Sequence, residues 1–373
     1  MSVDGEKNMK RWIGIVLCLA VWLWCVPAAW GIGEKEALQE LDRALPYEAR
    51  EILGTFDPLD GGWETGLAAL AEKGRQEAGK LLRRALGGGA ALLLIVLLCD
   101  GAKLLYFREK DSQLLQCVTL TGALAVVLLS AGGISEMIGL GAETIHTMND
   151  FSKTLLPLLG AACAASGSVT AAAVREVGTT LFADILLTCI DQLLLPLVYI
   201  YIGAITANAV LHEHSLQKIA QCIKKGITWM LTILLTVFTA YLTISGAVSG
   251  TADAAALKVA KFAISGAVPV VGGILSDAAS TVLVGAAMLK NAIGIFGTLA
   301  VFALCLVPFL QIGIQYLVYK AAAFLAEVVD QAGLSALIGE IGGAFGMVLG
   351  MTGACALLLI ISMITSISAV MPV

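Results

Sequence analysis

Apolar positions fall into long unbroken runs after about residue 86 and into narrow stripes before it. Runs at about 86–107, 114–140, 180–210, 226–250, 291–319 and 344–370 each reach the roughly 20 residues needed to cross hydrocarbon about 30 Å thick. They predict six membrane-spanning helices. Two further stretches, 154–174 and 262–289, are apolar but broken by Pro157, Gly160, Ser166 and Gly167, and by Pro269, Gly272, Gly273, Ser276 and Asp277. They either span or turn back halfway, and the pattern leaves both open.

The start of the chain reads differently. Lys7, Lys10 and Arg11 precede an apolar run from Trp12 to Val26, followed by Pro27, Ala28, Ala29 and Gly31. Basic residues, a short apolar core and small residues at a cleavage point make a secretory signal over 1–31, and the run falls short of a full span. Residues 32–85 then lie outside the cytosol. Leu38, Leu41 and Leu45 form a short stripe that stops at Pro46. Asp57, Pro58, Asp60, Gly61 and Gly62 make a turn. Leu67, Leu70, Gly74, Ala78, Leu81 and Ala85 recur at three- and four-residue spacing, the mark of an amphipathic helix. That helix docks a partner or membrane surface, or packs on the rest of its own chain.

The broken stretches belong to an internal repeat. A shift of 112 residues carries Pro157 onto Pro269, Gly160 onto Gly272 and Pro196 onto Pro308. The units run over 114–210 and 226–325 within a membrane domain of 86–373. Broken helices at matching places in two repeats mark transport or conduction sites, because unwound backbone can bind a solute where it lines a cavity. Small residues and prolines also serve close helix packing, so packing and pathway both remain readings of these six positions.

Composition agrees with the pattern. The 373 residues are 58% hydrophobic and 14% charged, with mean hydropathy +0.90, against roughly 45–50% apolar and 25% charged in soluble domains. Residues 32–85 carry 19 charged side chains in 54 positions, while 86–373 carry 27 in 288. A net charge of −5 offers no basic surface for phosphate, which excludes nucleic acid as a partner and leaves the lipid bilayer. The positive-inside rule fixes only the first loop. If both broken stretches span, the cytosolic side collects Lys103, Arg108, Lys110, Arg175, Lys258, Lys261 and Lys320; if both turn back, it collects Lys103, Arg108, Lys110, Lys218, Lys224, Lys225 and Lys320. In the second case the repeats run parallel rather than inverted.

Ionisable residues inside apolar runs are costly and usually face a bundle interior or water. Asp100 and Lys103 are three apart on one helix and neutralise each other. Asp184 and Asp191, seven apart, share a helical face, while the repeat places Phe296 and Ala303 opposite them, which disfavours a symmetric ion site. Asp277 sits in the second broken stretch. His212, Glu213 and His214 lack the spacing that brings two imidazoles to one zinc, so no metal is expected. No phosphate-binding loop or nucleophile, base and acid set is visible, so neither a cofactor nor catalysis is expected. The nine cysteines are scattered singly and read as small buried hydrophobes.

These features resemble the stage III sporulation protein AE family of endospore-forming Firmicutes. The resemblance rests on the signal peptide, LDRALPYEAREIL at 41–53, LLLPLVYIYIGAITAN at 193–208, ISGAVPVVGGILSDAAST at 264–281, KNAIGIFG at 290–297 and the stretch from Pro308 to Tyr319. It implies a multi-pass component of the mother-cell membrane around the forespore, part of a channel or secretion-like apparatus. Implied partners are the other stage III sporulation A operon proteins, including a cytosolic ATPase, and stage II sporulation protein Q across the intermembrane space. No site residue is carried over. The expected fold is an all-α integral membrane protein, a polytopic helical bundle with an internal duplication and Pro/Gly-broken segments, preceded by a small extracytosolic helical segment. A secondary transporter coupled through Asp184, Asp191 or Asp277, and a scaffold that conducts nothing, are the rival functions.

Overall fold

The computed structural model describes residues 34–53, 63–106, 112–166, 169–211, 214–267, 272–329 and 332–368. The signal peptide, the turn at Asp57 to Gly62, Arg108, Lys110, His212, Glu213 and Pro269 lie outside the described residues. Among the described residues there is helix and no strand. Two short helices, α1 (Glu34–Ala44) and α2 (Tyr47–Leu53), flank Pro46, where the first stripe stops as expected. Six long rods follow: α3 (Trp63–Tyr106), α4 (Ser112–Ala165), α5 (Val169–Cys189) continued through a π-turn (Ile190–Leu194) into α6 (Leu195–Leu211), α7 (His214–Ala267), α8 (Gly272–Val328) and α9 (Ala332–Ser368). Six stretches are long and apolar enough to cross a membrane: Glu64–Leu104, Cys117–Ala165, Ala172–Ala209, Ser215–Ser245, Val284–Val328 and Gly333–Ser366. The chain is an all-α polytopic membrane protein. Helices dominate because the bilayer offers backbone N–H and C=O groups no partner outside their own segment.

Side-chain contacts give the direction of each rod. Tyr241 Oη of α7 donates to the Val174 carbonyl of α5 at 2.9 Å, and at the other end of the pair Lys224 of α7 and Tyr201 of α6 meet on Glu340. The two rods are therefore antiparallel. Tyr319 of α8 bonds Ser130 of α4 at 3.0 Å, and Gly297 faces Leu155, again antiparallel. Ser335 of α9 donates to the Ala323 carbonyl of α8 at 2.8 Å, and Gly353 faces Phe309, antiparallel once more. Successive rods thus alternate in direction, and chain reversals fall within both broken stretches, between Ala165 and Val169 and between Ala267 and Gly272. The described parts of both stretches are the ends of long helices.

The two units 114–210 and 226–325 are hairpins that run in the same sense. Matching positions do not hold matching structures, since Gly160 lies inside α4 while Gly272 opens α8. The alternation gathers Lys103, Lys218, Lys224, Lys225 and Lys320 at one end of the bundle, the end where α3 gives way to α4, α6 to α7 and α8 to α9.

The core centres on α8 and α9, where Leu299, Ala300, Val301, Ile312, Ile338 and Phe345 are fully or almost fully buried. The second stripe of the amphipathic segment packs here. Gly66 faces Leu299, Gly74 faces Leu306 and Gly89 faces Val318, so the stripe serves this chain's own bundle, although Leu67 stays exposed. The helix crosses the composition boundary near residue 86 without a break. Cys99, Cys163, Cys305 and Cys355 are buried as expected, whereas Cys117 and Cys222 lie on the outside.

Single cysteines at Ala165, Ser215 and Gly333 in a cysteine-free variant test the alternation. Impermeant thiol reagents should reach 215 and 333 from the same side and 165 from the opposite side; 215 and 165 labelling together would break the pattern.

Candidate functional site

The ionisable residues singled out in the sequence take different places. Asp100 and Lys103 lie half-buried near the end of α3. Asp184 is exposed on α5. Asp191, in the π-turn, carries a carboxylate oxygen 3.2 Å from Nε2 of His146 on α4, so the two aspartates face different surroundings. Asp277 and Gly272 fall in α8, where only the helical backbone is described.

The prolines disturb the helices in distinct ways. Pro157 sits exposed inside α4. Pro196 follows the π-turn, in which the Leu195 N–H reaches back to the Ile190 carbonyl. A proline ring clashes with the carbonyl four residues earlier and has no N–H to give; the wider turn just before Pro196 accommodates both defects. Pro308 lies inside α8 and lines a cavity of about 390 Å³ with Pro46 and Tyr47 from the α1–α2 corner and Glu143 and Thr144 from α4. The pathway residues are therefore dispersed: Gly160 approaches Glu176 of α5, and no described pocket gathers several of them.

What the structure does gather is a polar layer that the sequence pattern did not reveal. Tyr201 of α6, fully buried, sends its hydroxyl to the Glu340 carboxylate, with the Glu340 carbonyl 2.9 Å away. Lys224 Nζ of α7 lies 3.3 Å from the same carboxylate. Lys320 Nζ of α8 donates to the Gly339 carbonyl of α9 at 2.8 Å. Four rods thus contribute to one level. Gly343 permits it, because a Cβ there would stand 2.9 Å from Tyr201 Oη and 3.0 Å from Lys224 Nζ. A groove of about 670 Å³ runs from this layer between α7 and α9, floored by Gly343, Gly346, Gly350 and Gly353 and walled by Thr228 and Thr232.

Glu340 escaped notice because it sits at the edge of an apolar run, like an ordinary interface charge. The signal available was its spacing from the glycines that follow, at 343, 346, 350 and 353. A second polar cluster joins Arg84, Glu136 and Gln311, with Arg84 3.8 Å and Gln311 3.4 Å from the Glu136 carboxylate. Among the described residues no three His, Cys, Asp or Glu side chains converge as a metal site would require.

Comparison with known proteins decides the family. The family model described as stage III sporulation protein AE matches residues 79–370, more than three quarters of the 373 residues. The chain belongs to the stage III sporulation protein AE family. The stage III sporulation protein AE of Bacillus subtilis (strain 168) is 24% identical over 204 residues, covering 55% of this chain and 51% of that relative. The match thus spans about half the relative's length. No solved structure matches. For this family member the polar layer, the π-turn with its His146–Asp191 pair, and the Arg84 cluster all lie within the matched region.

The layer should be measurable in stability. Tyr201→Phe removes a buried hydroxyl and should cost about 1 kcal/mol, and Glu340→Ala, which takes the carboxylate from Lys224 and leaves the Tyr201 hydroxyl only the residue-340 carbonyl, about 1–3 kcal/mol. Thermal melting in detergent checks both; equal melting points would remove the layer from the fold's support.

Proposed function

We propose that the protein is a membrane component of the mother cell-to-forespore channel, or secretion-like complex, required for endospore development, and that it acts as conduit or platform without catalysis. Membership of a stage III sporulation family supports the developmental role. The observation that carries the conduit reading is the level shared by Tyr201, Lys224, Lys320 and Glu340, where four membrane rods turn charged or hydroxyl groups toward one another. Intramembrane charge is maintained against its cost mainly where it serves passage or assembly.

The reading includes an orientation. The end bearing Lys103, Lys218, Lys224, Lys225 and Lys320 faces the cytosol of the mother cell by the positive-inside rule, while α1 and α2 pack midway along α8, beside Leu304 and Pro308. A cytosolic ATPase of the stage III sporulation A operon then meets the basic end, with the remaining operon proteins and stage II sporulation protein Q beyond the opposite face.

One observation favours a transporter instead: His146 Nε2 and the Asp191 carboxylate meet at 3.2 Å beside a π-turn, a place where functional sites recur. Solute uptake by the purified protein alone in liposomes would select that reading.

Lys224→Met with Glu340→Gln tests the conduit. At normal protein levels the double variant should lower heat-resistant spore counts at least about tenfold and reduce late forespore gene expression. Wild-type sporulation would leave the layer without a role in passage.

A further inference from the structure

The groove between α7 and α9 has a charged head and an apolar length. At its head stand Lys224 and Lys320, and an adjoining cavity of about 580 Å³ adds Lys225, Trp229 and Glu340. In the lining of the two spaces three ammonium groups meet one carboxylate. Lys224 lies 3.3 Å from that carboxylate, whereas Lys320 donates to an uncharged group, the Gly339 carbonyl. The head therefore keeps an excess of positive charge that an anion complements. Trp229, 69% exposed, supplies the kind of amphipathic ring that gathers at the headgroup level of a membrane.

Away from the head the lining asks for no polar partner. Thr228 and Thr232 donate their hydroxyls to the Lys224 and Thr228 carbonyls of their own helix, at 3.0 and 2.8 Å. Leu231, Leu235, Phe309 and Leu357 continue the walls. From Gly343 to Leu357 the groove runs about 21 Å, more than the roughly 15 Å, half of the hydrocarbon thickness, that the chains of one leaflet fill. Gly350 keeps it open: the position is exposed, and the nearest atom a Cβ there would meet is a Leu231 methyl at 4.0 Å. Glycines so spaced also let a further helix approach closely. Here the notches at Gly346 and Gly353 already face the rings of Tyr316 and Phe309, 3.1 and 3.5 Å from where a Cβ would stand. A flexible chain can follow the slot that remains, above which a rod of about 10 Å diameter would ride.

We propose that this groove binds a phospholipid of net negative charge, with its phosphate among Lys224, Lys225 and Lys320 and one acyl chain along Gly346, Gly350 and Gly353. Basic spaces between membrane helices hold anionic headgroups in this manner. The bound lipid ties α7 to α9 at the level where Tyr201 and Glu340 join α6 to α9. Its binding is a property of the groove and accompanies conduit, platform or transporter alike.

Titration of the full-length protein in mild detergent with dioleoyl phosphatidylglycerol or dioleoyl phosphatidylcholine, read by native mass spectrometry, tests it. The anionic lipid should bind at least about tenfold more tightly. Lys320→Gln should weaken it about fivefold, while Lys218→Gln, which removes the same charge from α7 outside the groove, should leave it unchanged. Gly350→Leu should weaken it at least about tenfold, since the leucine takes the place of two or more buried methylenes, with the lipid-free melting point unchanged. If that variant fails to fold, Thr232→Phe fills the slot from the opposite wall and should have the same effect. Equal binding of the two lipids, equal losses at Lys218 and Lys320, or full binding with the slot filled would overturn the proposal. Glycerol phosphate competing as well as the whole lipid would make the head a site for free phosphate and overturn it too. So would a photoreactive side chain at position 350 that cross-links a second protein rather than lipid in native membranes.

Discussion

The bundle depends on how closely its rods approach α8. Inside a bilayer the lipid tails are as apolar as leucine, so helices associate through van der Waals packing and a few polar contacts. Small residues provide the approach. A Cβ at Gly297 would stand 2.7 Å from a Leu155 methyl, and one at Gly89 2.6 Å from a Val318 methyl. With α3, α4 and α9 each seated against α8 in this way, their heights are set relative to one another, and the levels of all charged groups follow.

The consequence is an uneven cross-section. α7, α8 and α9 present one uncharged belt, while α3 and α4 place their most apolar lengths, about 88–106 and 114–131, beyond the level of Lys320 and their charged lengths beside the belt. At about 2.5–3.5 kcal/mol for each basic side chain at the membrane centre, lipid around the α3 face would cost an amount comparable to a typical folding stability of 5–15 kcal/mol. The Tyr201, Lys224, Lys320 and Glu340 layer closes one end of the uncharged belt.

Much of this was legible in the sequence. Span positions follow from apolar run length alone, because nothing else satisfies a bilayer. The stripe from Leu67 to Ala85 announced a helix with one packed face, although Leu67 itself stays exposed, and Pro46 announced the break between α1 and α2. Depth was not legible. Composition separates residues 32–85 from the rest, and only the contacts of Gly66 and Gly74 show that this charged segment packs along α8. The direction of the broken stretches was equally hidden, since proline and glycine mark a turn and a kinked span alike. Pro157 is carried within a helix, and the fault at Pro196 is absorbed by a π-turn. Convergence of Glu340 with Tyr201 and Lys224, over 139 and 116 residues of chain, is a tertiary fact with no local signature.

The seating of the charged half of α3 against the uncharged length of α8 is the contact on which the rest depends. Cysteines replacing Gly74 and Leu306 in the otherwise cysteine-free protein, oxidised in native membranes, test it directly. A Cβ at Gly74 would be 3.4 Å from a Leu306 methyl, so a disulfide should form rapidly, as should one between positions 316 and 346 in the α8–α9 hairpin. A cross-link at 316 and 346 without one at 74 and 306 would detach α3 from α8 and contradict the account.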